Sequence, residues 1–348
     1  MRRRLRHPLV WGSISLILLA LVAWRSRAWE LADRLGEADV RPIILALLLN
    51  AVIVVAWAAR SSDLLAGVGS RVGPLPLIPM TAFANTVNNV TPGSVGELAR
   101  LYLLREHHGV DYASGAAVVV VERIVAIGLL GASAAILWAS FLLGLPPVVT
   151  ALAIGGLLLA PSLAYRSGLR PAILLTWLPL GRVIGEDRWA IVGRTLGRID
   201  ATVASLLTDL RRALVFGLWT TVVFVTYTGQ LLLVAAAIGR PLEPAAAWGA
   251  LGLGIIAGVV SLLPFGLGST DLVVAGLLGI AGVPAAEAVA IIFGYRVVST
   301  VPLGLIGVGS YAWLSARLPH GHASDAATAA SAALRGLEAT RDETVPPR

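Results

Sequence analysis

Residues 92–125 read PGSVGELARLYLLREHHGVDYASGAAVVVVERIV, and residues 264–298 read PFGLGSTDLVVAGLLGIAGVPAAEAVAIIFGYRVV. Each stretch runs from Pro and Gly through an acid, Glu97 or Asp271, to a Gly-Val pair and then to an arginine inside an apolar run. Gly109 to Arg123 and Gly282 to Arg296 are both 14 residues apart. The proline-to-acid gap is five residues in one and seven in the other, so a single small indel relates them. In both, the apolar segment is broken by Pro and Gly, and the piece after the break (94–105 and 269–281) is too short to cross a bilayer, which takes about 20 residues. Regions 75–105 and 245–282 therefore read as re-entrant hairpins, in which broken backbone is tolerated because protein or a cavity surrounds it.

Working outward, uninterrupted apolar stretches occur at 8–24, 42–59, 112–143, 145–160, 213–238 and 285–314. Six full spans and two hairpins divide into two halves, 8–143 and 145–314, each made of two helices, a hairpin and a third helix. The first hairpin enters from the inside and the second from the outside. The expected fold is an all-α polytopic helical bundle of inverted repeats, the layout in which a substrate site lies between the halves near the midplane. Residues 1–315 form a single transmembrane domain on this reading.

Composition agrees with the class and narrows the chemistry. Hydrophobic residues make up 57% of the 348 and charged residues only 14%, about half the charge of a soluble domain. All 27 basic residues are Arg, which removes a Walker loop or a Schiff-base lysine. Cysteine is absent, so thiolate metal sites and cysteine nucleophiles are excluded. The net charge of +7 comes from arginines flanking apolar segments, pointing to anionic lipid head groups rather than nucleic acid. The first seven residues carry four Arg and the 161–212 loop carries eight, which places both termini in the cytoplasm of an inner-membrane protein. Segment 187–212 reads as an Arg-studded amphipathic helix on the cytoplasmic surface, and 316–348 as a disordered cytoplasmic tail.

Charged side chains at membrane depth are costly and are functional candidates by default. Here they are Glu97, Arg100, Glu122, Arg123, Asp271 and Arg296. Arg123 lies 11 residues into its helix, roughly 16 Å deep at the α-helical rise, and Arg296 is matched to it from the other face. Helix N-termini near Ser94 and Ser269 would point free N–H groups at an anion, with Arg123 and Arg296 gripping a phosphate bidentately. The acids would neutralise these arginines, contact an amine or carry a proton; alternatively, acids and arginines form fixed pairs that orient helices. Asn88 and Asn89, at the first hairpin's turn, either line the site or satisfy broken backbone. Glu106, His107 and His108 sit at a membrane edge and do not make a metal site, and no cofactor is expected. Gly254 and Gly258 have the spacing of close helix packing.

NNVTPGSVGELARLYLL with ERIV, and LLPFGLGSTDL with GYRVV, resemble the two signature regions of the lysylphosphatidylglycerol synthase transmembrane-region family. The resemblance spans roughly 10–315 and implies a flippase-like membrane protein. Ser94 stands where the family often has a basic residue, and Asp271 where it usually has Glu. With fewer than 35 residues after the last span, the resemblance does not imply the aminoacyl-transferase activity of bifunctional relatives. The expected function is translocation of an anionic or aminoacylated phospholipid, or of a polyprenyl-phosphate-linked lipid. Two alternatives stand beside it: a non-transporting partner of a glycosyltransferase or lipid synthase, and an ion-coupled transporter of small anions. No catalytic constellation suggests an enzyme.

Overall fold

The computed structural model describes residues 39–91, 95–167, 197, 199–206, 208–261, 263 and 266–317. The expected first span at 8–24, Ser94, residues 187–196 of the 187–212 segment and the tail beyond 317 lie outside these residues. Among the described residues there is no strand. The helices are α1 (Val40–Gly67), α2 (Pro74–Val90), α3 (Val95–His108), α4 (Tyr112–Leu143), α5 (Pro147–Arg166), α6 (Leu210–Ala237), α7 (Pro244–Ser261), α8 (Ser269–Ile280), α9 (Ala285–Tyr295) and α10 (Val301–Arg317). A π-helical turn, Arg296–Thr300, joins the last two without a break.

Local sequence explains the helix ends. Asp39, Asp111 and Asp209 each accept hydrogen bonds from the first turn of α1, α4 and α6, supplying acceptors that the unpaired N–H groups there require. The Gly-Val pairs are C-caps. Gly109 (φ +63°) and Gly282 (φ +84°) take the left-handed conformation. The N–H groups of Val110 and Val283 then bond back to Leu104 and Leu278, and both valines are buried. This is a left-handed cap closed by an apolar residue, so the matched pairs in the sequence are two copies of one stop signal.

Among the described residues, five stretches are long and apolar enough to cross a membrane: α1, α4, α6, α7 and the continuous run Ala285–Ala316. Four of these match the expected spans at 42–59, 112–143, 213–238 and 285–314, and α5 covers the one expected at 145–160. The chain is a multi-pass membrane protein. α7, the first leg of the second hairpin, has 18 residues and is about 27 Å long, so it is itself long enough to cross. It still folds back, because the break after Ser261 lets α8 pack along it. A Cβ on Gly254 or Gly258 would collide with Val274 or Thr270 of α8, so the two glycines serve the close packing expected of them.

The halves are joined by a reciprocal set of contacts. α1 packs on α6; α7 of the second hairpin packs on α4, and α2 of the first hairpin packs on α10. α1 and α6 run antiparallel: the Asp39 N–H donates to Ala237 O (3.1 Å) at one end, and Gly67 faces Arg212 at the other. Exchanging the halves maps each contact onto another, which is the pairing that a two-fold relation between them requires. Residues 199–206 of the expected amphipathic segment are helical, and Leu206 is buried against the α1, α3 and α6 core. Their apolar face meets the bundle.

Candidate functional site

The first hairpin's second leg brings Glu97 and Arg100 into the bundle, and α4 brings Glu122 and Arg123. Glu97, Arg100 and Glu122 are buried. Adjacent residues on a helix point about 100° apart, so Glu122 and Arg123 face different neighbours. Arg123 turns to Glu97, donating through Nε (3.0 Å) and Nη2 to Oε1. Glu122 accepts from Arg100 Nη1 (3.1 Å) through Oε2. Its Oε1 accepts from Arg60 Nε (3.1 Å) and Nη2 (2.8 Å). Arg100 also reaches Glu97 Oε2 at 3.5 Å, which closes one continuous network.

Arg60, Ser61 and Asn85 belong to this network and were absent from the sequence reading. Ser61 Oγ donates toward Glu122, and Arg123 Nη2 reaches Asn85 Oδ1 at 3.4 Å. The span expected at 42–59 stops one residue short of Arg60. The signal that could have found it is the apolar Leu64-Leu65 beyond it: both are buried, and α1 continues to Gly67.

The other candidates take clear places. Asn88 Nδ2 donates to Glu97 Oε1 (3.0 Å), so Asn88 holds the clasp acid. Asn89, beside it in the last turn of α2, is half-buried. Both lie within the helix rather than in the turn after it. Asp271 and Arg296 form the counterpart of the Glu97–Arg123 clasp, with Arg296 Nε donating to Asp271 Oδ1 at 2.9 Å. Asp271 Oδ2 also accepts the Gly268 N–H (2.9 Å). Asp271 thus takes up the N–H of the N-cap residue at the start of α8. Ser269 Oγ lies 2.7 Å from Ser261 Oγ and donates to Gly266 O (3.2 Å), tying the hairpin tip together.

The clasps join acid and arginine of the same half, and they differ in exposure. In the first, 42% of the Arg123 side chain is exposed against 8% for Glu97. In the second the values are 16% for Arg296 and 2% for Asp271. A cleft of about 930 Å³ lined by Leu137, Phe141, Thr150, Glu243 and Trp248 is a separate feature. It begins 14 residues beyond Arg123 on α4, roughly 21 Å along the axis. Among the described residues no group of three His, Cys, Asp or Glu could hold a metal.

No curated protein and no solved structure matches this chain. The sequence model of one family, described as the lysylphosphatidylglycerol synthase TM region, matches residues 9–307. That interval takes in both clasps and both hairpins, and it ends within the last span. The chain belongs to the lysylphosphatidylglycerol synthase TM region family, a membrane domain associated with lipid-related proteins.

Proposed function

We propose that this protein moves a phosphate-bearing lipid between leaflets of a bacterial-type inner membrane, with both termini cytoplasmic, and performs no bond chemistry of its own. The observation that carries the reading is the Glu97–Arg123 clasp. Arg123 stands about 16 Å into a spanning helix by the helical rise; its partner acid is buried and shared with Arg100 and Asn88, and nearly half of its own side chain is open. A guanidinium at that depth must meet an anion. Its open side matches two oxygens of a phosphate in the geometry of a bidentate pair. The carboxylate holds the fork in place between substrates and gives it up to the lipid phosphate, so the charge is never left bare.

The family, a membrane domain associated with lipid-related proteins, supports a lipid as the cargo. Lipid head groups are the partners on this reading. A lipid-modifying enzyme or glycosyltransferase would be the source or the consumer of the cargo.

The test is transbilayer movement of acyl-labelled phosphatidylglycerol in proteoliposomes, normalised to folded protein. Arg123→Gln abolishes movement on this proposal, and Arg123→Lys restores only part, since lysine keeps the charge without the fork. A folded Arg123→Gln protein moving lipid at the wild-type rate overturns it.

A further inference from the structure

The halves present the same clasp but different charge. Around the first clasp, Arg60, Arg100 and Arg123 face only Glu97 and Glu122, three positive charges against two negative. In the second, the ion pair described is Arg296 with Asp271. The difference traces to one helical position. α1 and α6 are both 28 residues long, and Arg60 and Gln230 each lie 20 residues after the first residue of their helix.

Their surroundings correspond as well. The Arg60 guanidinium lies 5.6 Å from the Phe216 ring centroid, and Nη1 reaches Thr220 Oγ1 at 3.5 Å. Gln230 Nε2 donates to Ala46 O (2.9 Å). Phe216 and Ala46 each lie six residues after the first residue of their helices. One structural slot thus holds a cation in the first half and a neutral amide in the second.

We infer that Arg60, which is buried and bonds to Glu122 rather than to the Glu97–Arg123 clasp, is a positioning residue that sets the charge selectivity of the first-half site. It holds Glu122 by two hydrogen bonds, and its charge leaves the cluster one positive unit in excess. The ligand that completes such a cluster carries a net negative charge. The inference rests on the lipid-translocator reading and narrows it: the cargo is a net-anionic lipid, and a zwitterionic or net-cationic one is disfavoured. Two Arg100 nitrogens, Nε and Nη2, are buried without an acceptor among the described residues, so the cluster has donors left for such a ligand.

The experiment compares two acyl-labelled lipids with the same tails, phosphatidylglycerol (net anionic) and phosphatidylcholine (net neutral), in proteoliposomes of the full chain. A unit charge about 10 Å away, acting through an effective dielectric near 20, changes preference by about an order of magnitude. The wild type is expected to favour phosphatidylglycerol by about tenfold. Arg60→Gln, which installs the second half's side chain, brings the ratio close to one, and Arg60→Lys keeps it. The double variant Arg60→Gln, Glu122→Gln removes one charge of each sign and returns the excess, so it restores the preference.

An unchanged ratio in Arg60→Gln, or a double variant as unselective as the single, overturns the inference and leaves translocation standing. A wild type that moves neither lipid counts against translocation instead. The charge inference is then decided by thermal unfolding of detergent-solubilised protein with each lipid. Stabilisation by phosphatidylglycerol alone, lost in Arg60→Gln, supports it; equal stabilisation by both lipids overturns it.

Discussion

Arg60 and Glu122 are joined by two hydrogen bonds, of 3.1 and 2.8 Å, between helices that share the interior of a membrane-spanning bundle. Both residues are buried, at 8% and 5% exposure, so neither can turn to water if the other is lost. Glu122→Ala should destabilise the protein by about 3–5 kcal/mol, the usual cost of stranding a buried charge. Arg60→Gln with Glu122→Gln should cost clearly less than the sum of the two single changes. Thermal or denaturant unfolding in detergent measures all three, and additivity would show that the pair is not coupled.

Asp271 carries two duties where Glu97 has no cap bond described. It caps α8 through Gly268 and holds Arg296. Asp271→Asn keeps an acceptor for the cap but leaves Arg296 without a carboxylate, and should cost about 3 kcal/mol or more. Asp271→Glu retains the charge, and a glutamate at the third helical position can reach back to the cap N–H, so it should recover most of that loss. No recovery by Glu would mean that the charge of Asp271 is not what holds Arg296.

Gly96 touches the partner leg of the first hairpin through backbone: a Cβ there would collide with the Ala84 carbonyl. No side chain can move aside, so α2 and α3 must separate. Gly96→Ala should therefore cost on the order of 1–3 kcal/mol, as overpacking does. Because it displaces Glu97, it should also impair lipid movement beyond the loss of folded protein. Gly128→Ala, where a Cβ meets open space, is the control and should be silent in both assays.

Arg71 and Glu243 are exposed, and they sit at opposite ends of the bundle, after α1 and before α7. With no native cysteine in the chain, single cysteines at these positions report sidedness directly. A cytoplasmic N-terminus predicts that an impermeant thiol reagent added outside labels Glu243→Cys and leaves Arg71→Cys unlabelled in intact cells. The reverse pattern would invert the orientation inferred from arginine placement.

From the sequence by itself came the membrane class, four span positions among the described residues, the two broken hairpins and the candidate acids and arginines. These are legible because hydrophobic run length, Pro-Gly breaks and the cost of a charge in hydrocarbon are all local quantities. The repeated Gly-Val pair was visible too, since a left-handed cap needs a glycine and a following apolar residue in fixed order. What the tertiary structure decided was partnership. Glu122 neighbours Arg123 in the chain, yet it bonds to Arg60 and Arg100, while Arg123 reaches back to Glu97. Asp271, read as an acid set against the arginines, holds Arg296 and also accepts the Gly268 N–H at the start of α8. A helix sends successive side chains about 100° apart, so the partner a charge finds is set by which helices pack together and at what height. That packing depends on residues as far apart as Arg60 and Glu122, and no short stretch of sequence carries it.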